Sequence, residues 1–353
     1  MLTRKRYSLK EMVLWTRLEA TLFFLIALLV TSAYTLLGMR FLVVPWAPLA
    51  AIGTAVAFII GFQNNAAYGR IWEARKIWGG IVNATRTLAM KVTDMVTNEY
   101  AQDPASADEL AEIRKEIFYR HIAWITALRH AMRQPRKWEV LNEHKTNREW
   151  SKHMHIPEHV ASLEDDLFLF LSADEWETVT QAGNKQARVL YLQSNHFRRL
   201  KERGLIWEFS FLELENLLQE LFTLQGKSER IKNFPYPRQY STLSHIFVWM
   251  FVLLLPLAII PEFGRVGESF ELAYPIAGQL FIWAAVPFCT AISWIFHTMD
   301  RIGRVGENPF EGSANDIPIS TMSRGLEIEL RQLLGEDNDM LPSQFPEVQD
   351  VQL

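Results

Sequence analysis

The stretch FLVVPWAPLAAIGTAVAFIIGFQNNAAYG, residues 41–69, contains no Asp, Glu, Lys or Arg. A helix crosses the hydrocarbon core of a bilayer with about 20 apolar residues, so this segment is long enough to span one. Residues 20–39, 239–261 and 272–299 are equally free of those four residue types. One such run could be the buried helix of a large soluble core. Four in one chain predict four membrane helices and exclude an ordinary soluble enzyme. The first run exceeds the apolar region of a cleaved leader and has no A-x-A pattern behind it, so it is expected to remain as an anchor.

The flanks of the four runs set the orientation. Arg4, Lys5, Arg6, Lys10 and Arg17 precede the first, and Arg70, Arg75, Lys76 and Arg86 follow the second. Lys227, Arg230, Lys232 and Arg238 precede the third, and Arg301 and Arg304 follow the fourth. The two short turns carry Arg40 alone, and Arg265 against Glu262, Glu268 and Glu271. Lys and Arg accumulate on the cytoplasmic side, so both termini and the long middle region are expected there. The chain then divides into a cytoplasmic N-terminus (1–19), membrane helices 1 and 2 (20–69), a cytoplasmic helical region (70–238), membrane helices 3 and 4 (239–299) and a cytoplasmic tail (300–353). Pro45, Pro48, Pro256, Pro275 and Pro287 each remove a backbone donor and are expected to kink their helices. Breaks in lipid need protein or water around them, which favours a packed, oligomeric bundle.

The cytoplasmic region reads as helical. Leu110, Ile113, Ile117, His121, Ile125 and Leu128 recur at three- and four-residue spacing, as do Phe209, Leu212, Leu217, Leu221 and Leu224. Residues 102–108 read as a loop with a helix cap, and Pro235-Tyr236-Pro237 as a break before the third membrane helix. From Gly335 onward the chain is acidic and proline-bearing and is expected to be mobile.

The 353 residues carry a net charge of -4. No basic stripe stands out, so nucleic acid is not an expected partner. The single cysteine, Cys289, excludes a disulfide framework and reads as a small buried residue. No P-loop, G-x-G-x-x-G or G-x-S-x-G is present, and no residue is assigned a catalytic role. His153, His155, Glu158 and His159 cluster, but Pro157 breaks the helix that would align them, so a solvated loop is expected rather than a metal site. His245 and His297 read as packing residues at helix ends. Arg198, Arg199, Lys201 and Arg203 read as a solvated face, with a lipid-headgroup contact as the alternative. Glu164, Asp165 and Asp166 read as a helix-start cluster.

Two longer motifs carry a resemblance. Residues 58–79, FIIGFQNNAAYGRIWEARKIWG, resemble the bacterial bestrophin pattern of Gly-Phe-Arg-Asn followed by Arg-Trp-Trp-Glu-Ala-Arg-x-x-Trp-Gly. Residues 308–330, NPFEGSANDIPISTMSRGLEIEL, resemble that family's Pro-Phe-Gly segment, its Asn-Asp-Leu-Pro and the Arg-x-Ile-Glu-Ile-x-Leu helix behind it. Residues 229–237, ERIKNFPYP, are similar to the family's link into the third membrane helix.

The resemblance implies an all-α, homopentameric ion channel of the bacterial inner (plasma) membrane, conducting chloride or other small anions without a cofactor. Five second helices would line a narrow neck above a cytoplasmic vestibule with a lower constriction. Carried over, the neck residues are Thr54, Phe58 and Phe62, and Ile231 or Phe234 would supply the lower constriction. Residues at i, i+4 and i+8 share a helix face, and two rings of five Phe can gate by dewetting. Aromatic edges carry positive quadrupole and tolerate an anion. Thr54, in place of an aliphatic residue, is expected to make the outer ring wetter. Gly61, between the two Phe, is expected to allow close helix approach. Animal bestrophins bind calcium after the Pro-Phe-Gly segment. Asn308 and Asp316 match possible ligands here, but Val305 and Ser313 stand where oxygen donors are wanted, so no bound ion is expected. The alternatives to an anion channel are a monovalent-cation channel of the same fold and a membrane scaffold or sensor that does not conduct.

Overall fold

The computed structural model of the chain describes residues 1–141 and 143–353. Among them the fold is all-α, with β pairing confined to isolated bridges. The helices are α1 (Leu9–Thr35), α2 (Trp46–Met95), α3 (Ala107–Arg133), α4 (Lys145–Ser151), α5 (Leu163–Phe168), α6 (Ala173–Thr180), α7 (Lys185–Glu202), α8 (Glu208–Asn233), α9 (Arg238–Glu271), α10 (Pro275–Phe281), α11 (Ala285–Gly306) and α12 (Ile319–Leu333).

Four segments are long and apolar enough to cross a membrane: α1, α2, α9 and the α10–α11 pair. They pack as one bundle, α11 against α1, α2 and α9. Phe23, Leu49, Val56, Ile60, Val252 and Val286 meet in its interior. Leu22, Leu25 and Leu29 stay exposed on α1, the surface that a bilayer would cover.

Lipid tails are as apolar as the helices, so association inside a membrane rests on close packing of small residues. Gly53 supplies this: a Cβ there would sit 2.7 Å from Cε2 of Phe251 on α9. Gly61, expected in that role, faces open space within the protomer, with nothing within 4 Å of its Cβ position. The prolines also differ from expectation. Pro256 lies inside α9, together with Pro261. Pro45 is the residue ahead of α2 and Pro48 sits in its first turn; Pro275 opens α10 and Pro287 is in the first turn of α11. A helix start has no donor to lose there, so Pro45, Pro48 and Pro275 begin helices rather than bend them, whereas Pro287 follows a 3-10 turn, Ile282–Ala284, that interrupts the fourth span.

The division at residue 69 is not a break in structure. α2 continues as one helix of 50 residues into the second layer, where it packs on α8, α3 and α12. Trp78, Ile81, Leu88, Trp124, Leu128 and Leu221 fill that core. Serines and an asparagine start four of its helices: Ser106, Ser162, Ser172 and Asn184 each accept a backbone N–H at the N-terminus of α3, α5, α6 and α7. The Pro-Tyr-Pro link separates α8 from α9 where the sequence places it.

The segment beyond α12, expected to be mobile, is docked instead. Phe345 lies under two guanidinium groups, 5.3 Å from that of Arg129 and 4.5 Å from that of Arg324. The Leu353 carbonyl accepts the Thr321 N–H at 2.8 Å, and Val351 pairs with Leu2. Cation–π contact and backbone pairing hold a segment that composition alone marks as loose.

Candidate functional site

α2 has two faces. Leu49, Gly53, Val56, Ile60, Gln63 and Ala67 are buried at alternating four- and three-residue spacing, the repeat of a helix side packed on its neighbours. On the other side, Phe58 and Phe62 are 65% and 73% exposed. Two large aromatic rings held out from a well-packed helix meet either lipid or a neighbouring subunit, not the protomer's own core. Thr54 is exposed on the same face. Its hydroxyl donates to the Ala50 carbonyl at 2.9 Å, so its proton is committed to its own helix while its oxygen can still accept.

The polar residues after Phe62 fix the helix's rotation. Gln63 Nε2 donates to Glu307 Oε1 at 3.1 Å, and Asn64 Nδ2 to the Met299 carbonyl at 3.1 Å. Nearly two turns further, Arg70 donates to the carbonyls of Glu307 at 2.7 Å, Ile231 at 3.0 Å and Phe234 at 2.9 Å. The Gly-Phe-Gln-Asn-Asn motif thus clamps α2 to α11, and Arg70 clamps it to the end of α8, while the phenylalanines face away. Because hydrogen bonds from a charged guanidinium are the stronger kind, Arg70 holds the α8–α9 link firmly against α2.

That link carries the two lower-constriction candidates. Ile231 is buried in the cytoplasmic core, 5% exposed, and Phe234 is 66% exposed. Of the two, only Phe234 presents its ring to a space outside the protomer.

The loop that resembles a calcium clasp is closed by the protein's own groups. Asp316 Oδ1 accepts the N–H of Phe310 at 2.9 Å and of Ile317 at 2.7 Å. Its Oδ2 accepts the N–H of Gly312 at 2.8 Å and Nη1 of Arg133 at 2.9 Å. The backbone turns sharply to allow this, with φ of +77° at Phe310 and +89° at Gly312. Val305 and Ser313 line an apolar cavity with Tyr7, Trp15 and Trp150. A hard cation needs six to eight oxygens, and a carboxylate already engaged by four donors beside an apolar cavity does not fit it.

The other signals fall into the scaffold. Glu158 does not lie in a solvated loop: its buried carboxylate accepts from Arg129 at 2.7 Å and pairs with Arg133. His153, His155 and His159 are exposed. Asp166 lies in the first turn of α5 and binds Arg129 at 2.8 Å and His130 at 3.0 Å. Arg198, Lys201 and Arg203 pair with Glu202, Glu208 and Glu109. His245 binds Asp300 at 2.9 Å and receives the Trp249 N–H at 3.1 Å, while His297 packs on Phe23 and Trp249. Cys289 is buried. In the loop ahead of α12, the Glu311 carboxylate accepts the N–H of Val140 at 3.0 Å and Leu141 at 3.2 Å. Burial and the adjacent charge of Glu139 push it up to about 8.

Four apolar spans and one continuous helix joining two layers define a multi-pass helical membrane protein. Comparison with known families makes this particular: the profile of the bacterial/fungal bestrophin proteins matches residues 9–332, and the chain belongs to that family. The chain is 26% identical over 304 residues to the voltage-dependent anion channel-forming protein YneE of Escherichia coli K12, covering 86% of this chain and 80% of that one. The similarly named protein RSc3414 of Ralstonia nicotianae is 26% identical over 289 residues, covering 82% and 77%. Among solved structures, a bacterial bestrophin homologue from Klebsiella pneumoniae superposes with a TM-score of 0.70 at 22% identity, covering 90% of this chain and 98% of that one.

Proposed function

We propose that the chain is a passive anion channel of the bacterial inner membrane, built as a homopentamer with five copies of α2 around the axis. The observation that carries this reading is the exposed Phe58–Phe62 face on a helix whose other side is packed and clamped. Five such faces turned inward would bury ten phenylalanines and leave a narrow apolar neck. Phe234 would form a second ring below, positioned by Arg70. Family membership and the names of the relatives support an anion as the permeant ion. Both termini and residues 70–238 would lie in the cytoplasm, on the Lys and Arg count beside the spans. No step in passive conduction calls for a catalytic residue.

Purified protein in liposomes under a salt gradient tests the reading. A pentameric mass in detergent and a reversal potential near that of chloride are expected. A monomeric or dimeric mass would remove the pore. A reversal potential near that of the cation would favour the cation reading, which the uncharged candidate neck leaves physically open. Absence of flux from an intact pentamer would favour a scaffold or sensor.

A further inference from the structure

The exposed face of α2 does not end at Phe62. Asn65, Gly69, Trp72 and Lys76 continue it, all exposed. At 3.6 residues per turn, Lys76 lies five whole turns below Phe58, on the same line of the helix. Its distance below Phe62 along the axis is about 21 Å.

Lys76 differs from the other cations near it. Arg70 is committed to three carbonyls. Arg75 lies about a quarter-turn aside and meets the Met1 sulfur at 3.4 Å. Glu73, the carboxylate one turn back, is taken by Arg230. Among the described residues nothing bonds or pairs with Lys76. Between Phe62 and Lys76 the exposed line carries no other charge.

On the pentameric pore reading above, we infer that Lys76 is a selectivity residue: five copies form a positive ring at the vestibule wall that draws anions toward an uncharged neck. The division of labour is physical. An apolar neck discriminates by the cost of dehydration, which any ion meets. A ring of like charge biases the sign of the ions waiting below it, by raising the local concentration of counter-ions tenfold or more in a low-dielectric funnel. Salt separates the two. The Debye length is about 30 Å at 0.01 M and about 3 Å at 1 M. A ring about 21 Å below the neck is therefore felt there at low salt and screened out at high salt.

The test is the anion-to-cation permeability ratio of Lys76→Gln, Lys76→Glu and Lys76→Arg channels in liposomes, from reversal potentials in KCl gradients near 0.01 M and near 1 M. The Lys76→Gln ratio should fall about tenfold at low salt and stay at the parent value at high salt. Lys76→Glu should fall further and Lys76→Arg should retain the parent ratio. A conducting Lys76→Gln pentamer with the parent ratio at low salt would overturn the assignment and leave the pore reading intact. Absence of flux in the parent protein would take down both. Should Lys76→Gln fail to assemble while Lys76→Arg assembles, the charge pairs across subunits and the selectivity role is overturned. As an independent arm, a Lys76→Cys channel should regain anion preference with a cationic thiosulfonate and not with an anionic one, since Cys289 is buried.

Discussion

The two layers share α2 yet are held together by different forces. In the membrane layer the interior is apolar away from the cytoplasmic ends of the spans, and close approach at Gly53 and Phe251 does the packing there. In the cytoplasmic layer a similar apolar core is threaded by buried ion pairs, Arg133 with Asp316 and Glu158, and Arg120 with Glu175. Hydrocarbon offers no reward for burying one apolar surface against another, whereas water does. The cytoplasmic layer can therefore bear the cost of charged fasteners, and the membrane layer depends on fit. α2 couples them, so a change in one layer can reach the exposed face in the other.

Removing a charged fastener should have the largest effect. Asp316→Ala strips the Arg133 guanidinium of its buried partner and frees three backbone N–H groups. Breaking a buried pair costs about 3–5 kcal/mol. Thermal unfolding in detergent should show a markedly lower midpoint, with Asp316→Asn in between. An unchanged midpoint would mean the two layers do not differ in this way.

Fit in the membrane layer should give a smaller change. Gly53→Ala forces the Phe251 ring to move, an overpacking cost of about 1–3 kcal/mol. Gly61→Ala meets no atom of the protomer and should leave the unfolding midpoint unchanged or slightly higher. Equal losses at both positions would argue that packing within the bundle is not what Gly53 serves.

A pH effect should also appear, confined to the cytoplasmic layer. Glu311 titrates at about 8 in the folded protein, against an ordinary value of 4.5. Between those values the folded state holds a proton that the unfolded chain has lost, so stability falls as pH rises. The contribution is fully present below about 4.5 and is lost as pH rises through about 8. Unfolding midpoints between pH 5 and 9 should decline less steeply in Glu311→Gln than in the parent. An identical slope would show that Glu311 does not carry the dependence.

Much of the membrane layer was legible in the sequence, because uncharged runs leave little choice in a bilayer. The loop after Gln102, the Pro-Tyr-Pro break and the shared face of Thr54, Phe58 and Phe62 were also readable from local spacing. What was not readable is long-range. Arg133 and Asp316 are 183 residues apart, and no local pattern announces the pair. Phe310 adopts a positive φ that only the surrounding donors to Asp316 impose. The final segment looked loose because its composition is polar, and its anchors, Phe345 and Val351, are single residues that a compositional reading averages away. Ile231 and Phe234 share a motif, yet one is buried and the other exposed. The turn of α8 at its end decides that, and Arg70, which sets it, lies far away in sequence.

The central claim is that Phe58 and Phe62 limit ion passage. Single-channel current, or liposome flux at matched reconstitution, measures it directly in Phe58→Ala, Phe62→Ala and Phe24→Ala. Phe24 is an exposed residue of α1 and serves as the control on a helix expected to face lipid. Truncating a ring of five phenylalanines should let water into the neck and lower the barrier, so flux should rise in both α2 variants and stay at the parent value in Phe24→Ala. Unchanged flux in Phe58→Ala and Phe62→Ala, with the pentamer intact, would contradict the account.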